Sequence, residues 1–162
     1  MSTKASDECC GKFDPSLWDE KNHSWENKLF IRKYIPQILH IPVPGKYGKA
    51  VQFLWDQAVK ADAQVDQPDF LLLSYDPSPW KSELYMSVKH EVPGADHVKL
   101  SGSFINKVFQ GPYNHVPRYI REFDIYLSRK NKLAARYFFY FATCPVCAKN
   151  YGYNYIVAFA EV

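Results

Sequence analysis

The sequence predicts an α+β fold in which two strand–helix–strand–strand units form an antiparallel sheet with two helices on one face. Two stretches carry apolar residues in helical steps, so each predicts a helix with a single apolar face to bury. The order strand, helix, strand, strand is predicted twice along the chain, which indicates an internal repeat. The length of 162 residues suffices for one domain with its own core.

The first 29 residues are predicted to be a tail and an irregular arm. Residues 1–8 are polar and lack the apolar segment of a signal peptide. Trp18 and Trp25 follow among polar residues, which indicates an arm packed on the domain because indole rings are too apolar to remain in water. The domain itself is predicted over 30–162.

The first repeat is predicted at about 30–92 and begins with a strand over 30–43. Pro36 and Pro42 remove two amide donors, which favours a sheet edge or a bend. The following stripe predicts a helix over 47–62. Its apolar positions are Tyr47, Ala50, Val51, Leu54, Trp55, Ala58 and Val59.

Two shorter strands complete the first repeat. Phe70–Leu73 and Glu83–Val88 are rich in apolar and aromatic residues, which is typical of buried strands. The segment 75–82 contains two prolines and is predicted to be the loop between them.

The second repeat is predicted at about 98–162, with strands over 103–109, 137–142 and 155–160 and a helix over 115–129. Corresponding residues keep a constant spacing. Tyr47 and Tyr113 each follow a turn and lie 66 positions apart, as do Leu71 and Tyr137 in the next strand. The match is one of pattern, since few residues are identical between the halves.

Composition narrows the functional classes. The chain has 12 Tyr, 11 Phe and 4 Trp, an aromatic content of 17% that suits a heavy core or an aromatic pocket. Its net charge of +3 comes from scattered basic residues and not from a basic stripe, which argues against nucleic-acid binding. No apolar run reaches the roughly 20 residues of a membrane span. We therefore expect a cytoplasmic protein without membrane or nucleic-acid partners, as a monomer or weak dimer.

The four cysteines form two close pairs, Cys9 with Cys10 and Cys144 with Cys147. A Cys-Pro-Val-Cys motif can supply two thiolates to one tetrahedral zinc, whereas adjacent cysteines need a bent backbone to converge. One structural zinc and four reduced, buried thiols both remain open. A thioredoxin-like role is disfavoured because the motif does not open a helix after a strand.

A local motif connects the second repeat to a known family. Lys107-Val108-Phe109-Gln110-Gly111-Pro112-Tyr113 leads into Pro117-Arg118-Tyr119, and this resembles the GyrI-like family, which includes effector-binding domains of transcription regulators. The chain is similar to a stand-alone subgroup with paired N-terminal cysteines and a late Cys-Pro-Xaa-Cys-Ala-Lys-Xaa-Tyr-Gly motif. The resemblance implies a cleft between the two repeats that is lined by aromatic residues.

The resemblance also implies the chemistry of that cleft. Many members bind cationic or planar drugs, and one subfamily hydrolyses cyclopropane-bearing alkylating compounds. Cation-binding members carry a carboxylate in the second half, but the strand 137–142 has no acid here. Glu83 and Glu122 are the substitutes that we predict, which weakens the expectation of a cationic ligand.

Aromatic residues from both repeats are the predicted ligand contacts. They are Trp55, Tyr85, Phe104, Tyr113, Phe123 and Tyr140. Each ring alone is more typical of a core than of a ligand wall. Three functions follow from the sequence: a module that binds a planar or apolar small molecule, a hydrolase that uses Glu83 or Glu122 to activate water, and a zinc-stabilised interaction protein.

Overall fold

The computed structural model describes six stretches of the chain, residues 14–39, 41–43, 45–66, 69–112, 115–141 and 155–162. These residues form two compact units. We call Trp25–Gly102 the central unit, and the described residues up to Ser24 together with those from Ser103 onward the terminal unit.

Seven strands and two helices follow a short 3₁₀ turn at Pro15–Leu17 in the described chain. In chain order they are β1 (Asn22–Ile38), β2 (Ile41–Pro42), α1 (Lys46–Lys60), β3 (Leu72–Ser78), β4 (Lys81–Ser87), β5 (Asp96–Gln110), α2 (Val116–Arg129), β6 (Arg136–Phe141) and β7 (Tyr155–Glu161). Within the described residues this is an α+β fold with two helices and antiparallel strand pairs, which confirms that part of the prediction. The helix–sheet geometry between the repeats and their origin by duplication stay predictions.

The central unit packs α1 on one face of antiparallel strands. Strand β1 pairs with β2 and β4, and β4 pairs with β3. Ala50, Leu54 and Ala58 recur every four residues and place one side of α1 on this sheet, because such residues align along a helix. Their strand partners are Ile31, Ile35, Leu84 and Met86.

The terminal unit repeats this local arrangement with different residues. Strand β7 lies between β5 and β6, antiparallel to both. Tyr119, Phe123 and Leu127 form the buried face of α2. They pack against Ile105, Phe109, Phe139, Ile156, Ala158 and Ala160.

Several strand bounds differ from the prediction, among them the start of β5, which lies at Asp96 and not at 103. Strand β1 begins at Asn22, eight residues before the predicted start, so part of the predicted irregular arm is extended strand. The predicted loop 75–82 is wrong at both ends, because β3 continues to Ser78 and β4 begins at Lys81. The pairing register shifts between Tyr75 and Ser78. This irregularity accommodates Pro77, whose missing amide would otherwise interrupt the ladder. No helix of the described chain is long and apolar enough to cross a membrane.

The glycine of the Gly-Pro-Tyr motif has a steric role. The Tyr119 hydroxyl donates a hydrogen bond to the Pro112 carbonyl oxygen at 3.1 Å. A Cβ at Gly111, where φ is +155°, would collide with this hydroxyl. The close approach of Tyr119 to the backbone therefore requires a residue without a side chain.

We expect Gly111→Ala to lower the free energy of unfolding by about 1–3 kcal/mol through overpacking. Tyr119→Phe in the same chain should restore part of the loss, because it removes the colliding oxygen. Gly94→Ala is the matched control, since Gly94 also has a positive φ but open space around it. Urea unfolding of the single and double variants measures both effects. Equal responses of the two glycine variants to Tyr119→Phe would contradict the steric explanation.

Candidate functional site

The predicted site residues are divided between the two units. Three of them lie in the central unit: Trp55, Glu83 and Tyr85. Four lie in the terminal unit: Phe104, Glu122, Phe123 and Tyr140. The others lie outside the described residues: Tyr113, Cys9, Cys10, Cys144 and Cys147.

The side chains of strand β4 alternate between the core of the central unit on one face and a group of polar residues on the other. Leu84 and Met86 point into the cluster beneath α1, so Glu83 and Tyr85 alternate onto the opposite face. The Tyr85 hydroxyl donates a hydrogen bond to Glu83 Oε2 at 2.7 Å. Only 12% of the Glu83 side chain is exposed. A largely buried carboxylate is thus held by the tyrosine two residues further along the same strand.

Strand β1 supplies the cation beside this carboxylate. The pairing places Arg32 opposite Tyr85 and Tyr34 opposite Glu83. Arg32 Nη1 donates to Glu83 Oε1 at 3.4 Å, and its Nε donates to Asp96 Oδ2 at 2.8 Å. The hydrogen bond that Arg32 donates to Asp96 raises the pKa of Arg32, so its guanidinium stays charged.

Two cations lie near the ring of Tyr34. The Arg32 guanidinium carbon is 4.9 Å and the Lys81 Nζ 4.0 Å from the ring centroid. These two cations balance the carboxylates of Glu83 and Asp96, so the formal charges of the four side chains sum to zero. We call this constellation the Glu83 site. It consists of Arg32, Tyr34, Lys81, Glu83, Tyr85 and Asp96.

Tyr85 is a hydrogen-bond donor at neutral pH. Burial raises the pKa of the Tyr85 hydroxyl well above its usual range, and the hydrogen bond to Glu83 raises it further. The Tyr85 and Phe30 rings pack edge to face with centroids 6.4 Å apart, and the centroids of the Phe30 and Trp25 rings are 6.1 Å apart. The site therefore combines a carboxylate, a fixed donor and flanking aromatic surface.

The terminal unit carries an aromatic cluster on the face of its sheet opposite α2. The ring centroid of Trp18 lies 5.5 Å from that of Tyr140 and 6.3 Å from that of Phe159, and the ring centroids of His23 and Phe159 are 6.0 Å apart. Phe138 lies opposite Phe159 in the register of β6 and β7. Phe104 packs edge to face on Phe138 at 6.2 Å. The predicted residues Phe104 and Tyr140 thus belong to one aromatic surface, which we call the Trp18 cluster.

Glu122 and Phe123 lie on different sides of α2. Glu122 is 45% exposed, pairs with Arg118 at 3.0 Å and lines an open pocket of about 340 Å³. Phe123 is fully buried beneath the helix. In the central unit, Trp55 lies on α1, 37% exposed and edge-on to Phe70. The structure thus joins Glu83 to Tyr85, whereas Trp55 lies on the helix side of its sheet.

Arg32, Tyr34, Asp96 and Trp18 were not predicted as site residues. Alternation within the predicted strand 30–43 was an available signal, since Ile31 and Ile35 face the core and Arg32 and Tyr34 take the other face. Among the described residues no group of three or more His, Cys, Asp or Glu could hold a metal ion. The zinc prediction concerns cysteines outside the described residues and stays a prediction.

The fold is that of known small α+β domains. The EcmrR C-terminal domain matches with a TM-score of 0.65 and 10% identity, covering 90% of this chain and 97% of that domain. A hydrolase from Listeria innocua matches with a TM-score of 0.62 and 10% identity, covering 88% of this chain and 91% of that chain. At such identity these matches show the fold alone, which is consistent with the GyrI-like fold.

The family follows from the sequence as a whole. The chain belongs to the family described as bacterial hydrolase, whose model matches residues 1–162. No protein of curated function matches the sequence.

Proposed function

We propose that the protein binds a planar, apolar small molecule at the Glu83 site. The observation that carries this proposal is the largely buried Glu83 carboxylate, held by Tyr85 and Arg32 beside the exposed ring of Tyr34. Ligand sites typically combine apolar and aromatic surface with a few fixed polar groups. The resemblance to a family of small-molecule-binding domains supports the same class of ligand.

The charge balance of the site favours a neutral ligand. Arg32 and Lys81 offset Glu83 and Asp96, so a cation gains less there than at an unpaired buried carboxylate. Tyr34 already has cations near its ring, which leaves less of its face for a cationic ligand. We therefore expect a neutral ring system to bind at least as tightly as its cationic analogue.

Acridine and 10-methylacridinium test this in mildly alkaline buffer, where acridine is uncharged. We expect Tyr34→Ala to weaken acridine binding by about tenfold, because it removes one aromatic wall. Tyr126→Ala is the matched control, since Tyr126 also lies near two cations, Lys107 and Lys130, but in the terminal unit. Fluorescence titration measures the affinities, and circular dichroism checks folding. Equal losses in the two variants, or no saturable binding to the wild type, would overturn the proposal.

Hydrolysis of the bound molecule is the second candidate function. Glu83 Oε2 is held by Tyr85, whereas Oε1 has the long 3.4 Å contact with Arg32 and can accept a hydrogen bond from water. A carboxylate in this position removes a proton from water as the water attacks an electrophilic carbon. The family description as bacterial hydrolase supports this candidate.

The resemblance supplies a substrate class, cyclopropane-bearing alkylating compounds, and the substrate that we consider is a planar one whose cyclopropane is conjugated to a ring carbonyl. In that reaction the water oxygen bonds to the ring carbon, the strained C–C bond breaks, and its electron pair converts the conjugated carbonyl into a phenolate. The proton removed by Glu83 is returned through solvent to the phenolate. Tyr85 acts as a positioning residue, since its hydroxyl fixes the carboxylate.

The remaining ligand contacts stay predictions. Phe104 and Tyr140 lie in the Trp18 cluster, and both side chains are buried. Trp55 and Phe123 lie on the helix sides of their sheets. A zinc-stabilised interaction protein stays a predicted alternative that zinc analysis of the purified protein would address.

A further inference from the structure

Asn106 is a fully buried amide in the middle of β5. Its backbone amide donates a hydrogen bond to the Lys21 carbonyl oxygen at 2.8 Å. Its side-chain Nδ2 lies 2.9 Å from His23 Nε2. The other end of the side chain, Oδ1, is buried without a hydrogen-bond partner among the described residues.

The orientation of the amide does not remove this feature. If the amide is turned over, Oδ1 accepts from a protonated His23 Nε2 and Nδ2 takes the unpartnered position. In either orientation one polar end of Asn106 lacks a partner. Buried polar groups are paired in almost all proteins because an unmade hydrogen bond costs free energy, so an exception calls for an explanation.

The surroundings of Asn106 are aromatic. Asn106 lies opposite Phe159 in the register of β5 and β7 and therefore on the same face of the sheet. The Phe159 ring contacts both His23 and Trp18. A buried water is typically held by about three polar groups, whereas this place offers aromatic rings and one polar end without a partner. A flat aromatic ligand with a single hydrogen-bond donor fits such surroundings better than a water molecule does.

The segment 18–23 covers this buried surface. Trp18 and His23 are both partly exposed. Asp19 fixes the segment by accepting a hydrogen bond from the Val108 amide at 2.9 Å, and Glu20 pairs with Lys107 at 3.5 Å. The backbone of this segment is thus anchored, and the Trp18 ring that packs on Phe159 is partly exposed.

We propose that Asn106 is the polar anchor of a ligand site in the Trp18 cluster. The ligand is a neutral, planar aromatic compound with one O–H or N–H donor. It enters beneath the Trp18 indole, stacks on Phe159 and donates its hydrogen bond to Asn106 Oδ1. The site belongs to the terminal unit and does not depend on Glu83.

A matched pair of probes tests the anchor without a mutation. 2-Naphthol and 2-methoxynaphthalene share the ring system, but the second lacks the donor. In isothermal titrations we expect the wild type to bind 2-naphthol about tenfold more tightly than 2-methoxynaphthalene, because one hydrogen bond to a buried acceptor contributes about that factor to the affinity. Titrations repeated in Tyr34→Ala separate this site from the Glu83 site, because the tenfold preference should persist in that variant.

Asn106→Leu gives the second readout. We expect Asn106→Leu to bind the two probes with about equal affinity, because the acceptor is lost. The melting temperature should equal or exceed that of the wild type, because the variant removes an unpaired buried polar end. If Asn106→Leu does not fold, transfer of NMR saturation between 2-naphthol and the Trp18 indole in the wild type decides the location. The proposal is overturned by equal binding of the two probes, by binding of neither, by an unchanged preference in Asn106→Leu, or by no transfer to Trp18.

Discussion

Glu83→Gln is expected to slow hydrolysis of a cyclopropane-fused aromatic substrate by about 10²–10⁴-fold, the usual contribution of a general base. Glutamine keeps the shape of the side chain and an oxygen that accepts from Tyr85, but it cannot take a proton from water. Affinity for the substrate should change by less than about threefold, because the aromatic contacts remain. Single-turnover measurements of phenol formation with saturating enzyme separate the chemical step from binding.

Glu122→Gln is the matched control for this result. Glu122 was the other predicted base, but it lies exposed on α2 with Arg118 as its partner. We expect its variant to retain the wild-type rate within about twofold, as for surface substitutions away from a site. A large loss in Glu122→Gln with full activity in Glu83→Gln would assign the base to the terminal unit. Full activity in both variants would rule out a carboxylate base, while the binding proposal would remain supported by acridine titration.

Phe123→Ala is expected to lower the free energy of unfolding by about 3–5 kcal/mol. The side chain is fully buried and contacts the rings of Phe109, Tyr126 and Tyr137. Its removal loses the transfer free energy of the ring and leaves a cavity beneath α2. Urea unfolding followed by circular dichroism measures the change.

Trp55→Ala provides the comparison among the predicted ligand residues. Trp55 is 37% exposed and makes its ring contact with Phe70 edge to face, so its truncation should cost less than Phe123→Ala, about 1 kcal/mol. A small loss in Phe123→Ala accompanied by lost ligand binding would instead identify Phe123 as a ligand wall. Similar large losses in both variants would show that exposure is a poor guide to core residues here.

The two helices were predictable because their signal is local. Apolar residues three and four apart leave a helix one buried face, and the described helices Lys46–Lys60 and Val116–Arg129 lie within two residues of the predicted bounds. Strand limits were less predictable. Polar residues such as Asn22 and Asp96 belong to strands through hydrogen bonds to partners far along the chain, which a local window does not contain.

The sequence by itself determined the helical segments and the order of the elements, and it placed Glu83 and Tyr85 on one predicted strand, where residues two apart share a face. The tertiary structure decided which cations and carboxylates surround them. Arg32 is 51 residues from Glu83 and 64 from Asp96, and they meet because the register of β1 against β4 sets Arg32 opposite Tyr85. The register of the strands depends on which whole strand faces are buried. The Glu83 site is therefore formed by the pairing of the assembled sheet and not by a local sequence motif.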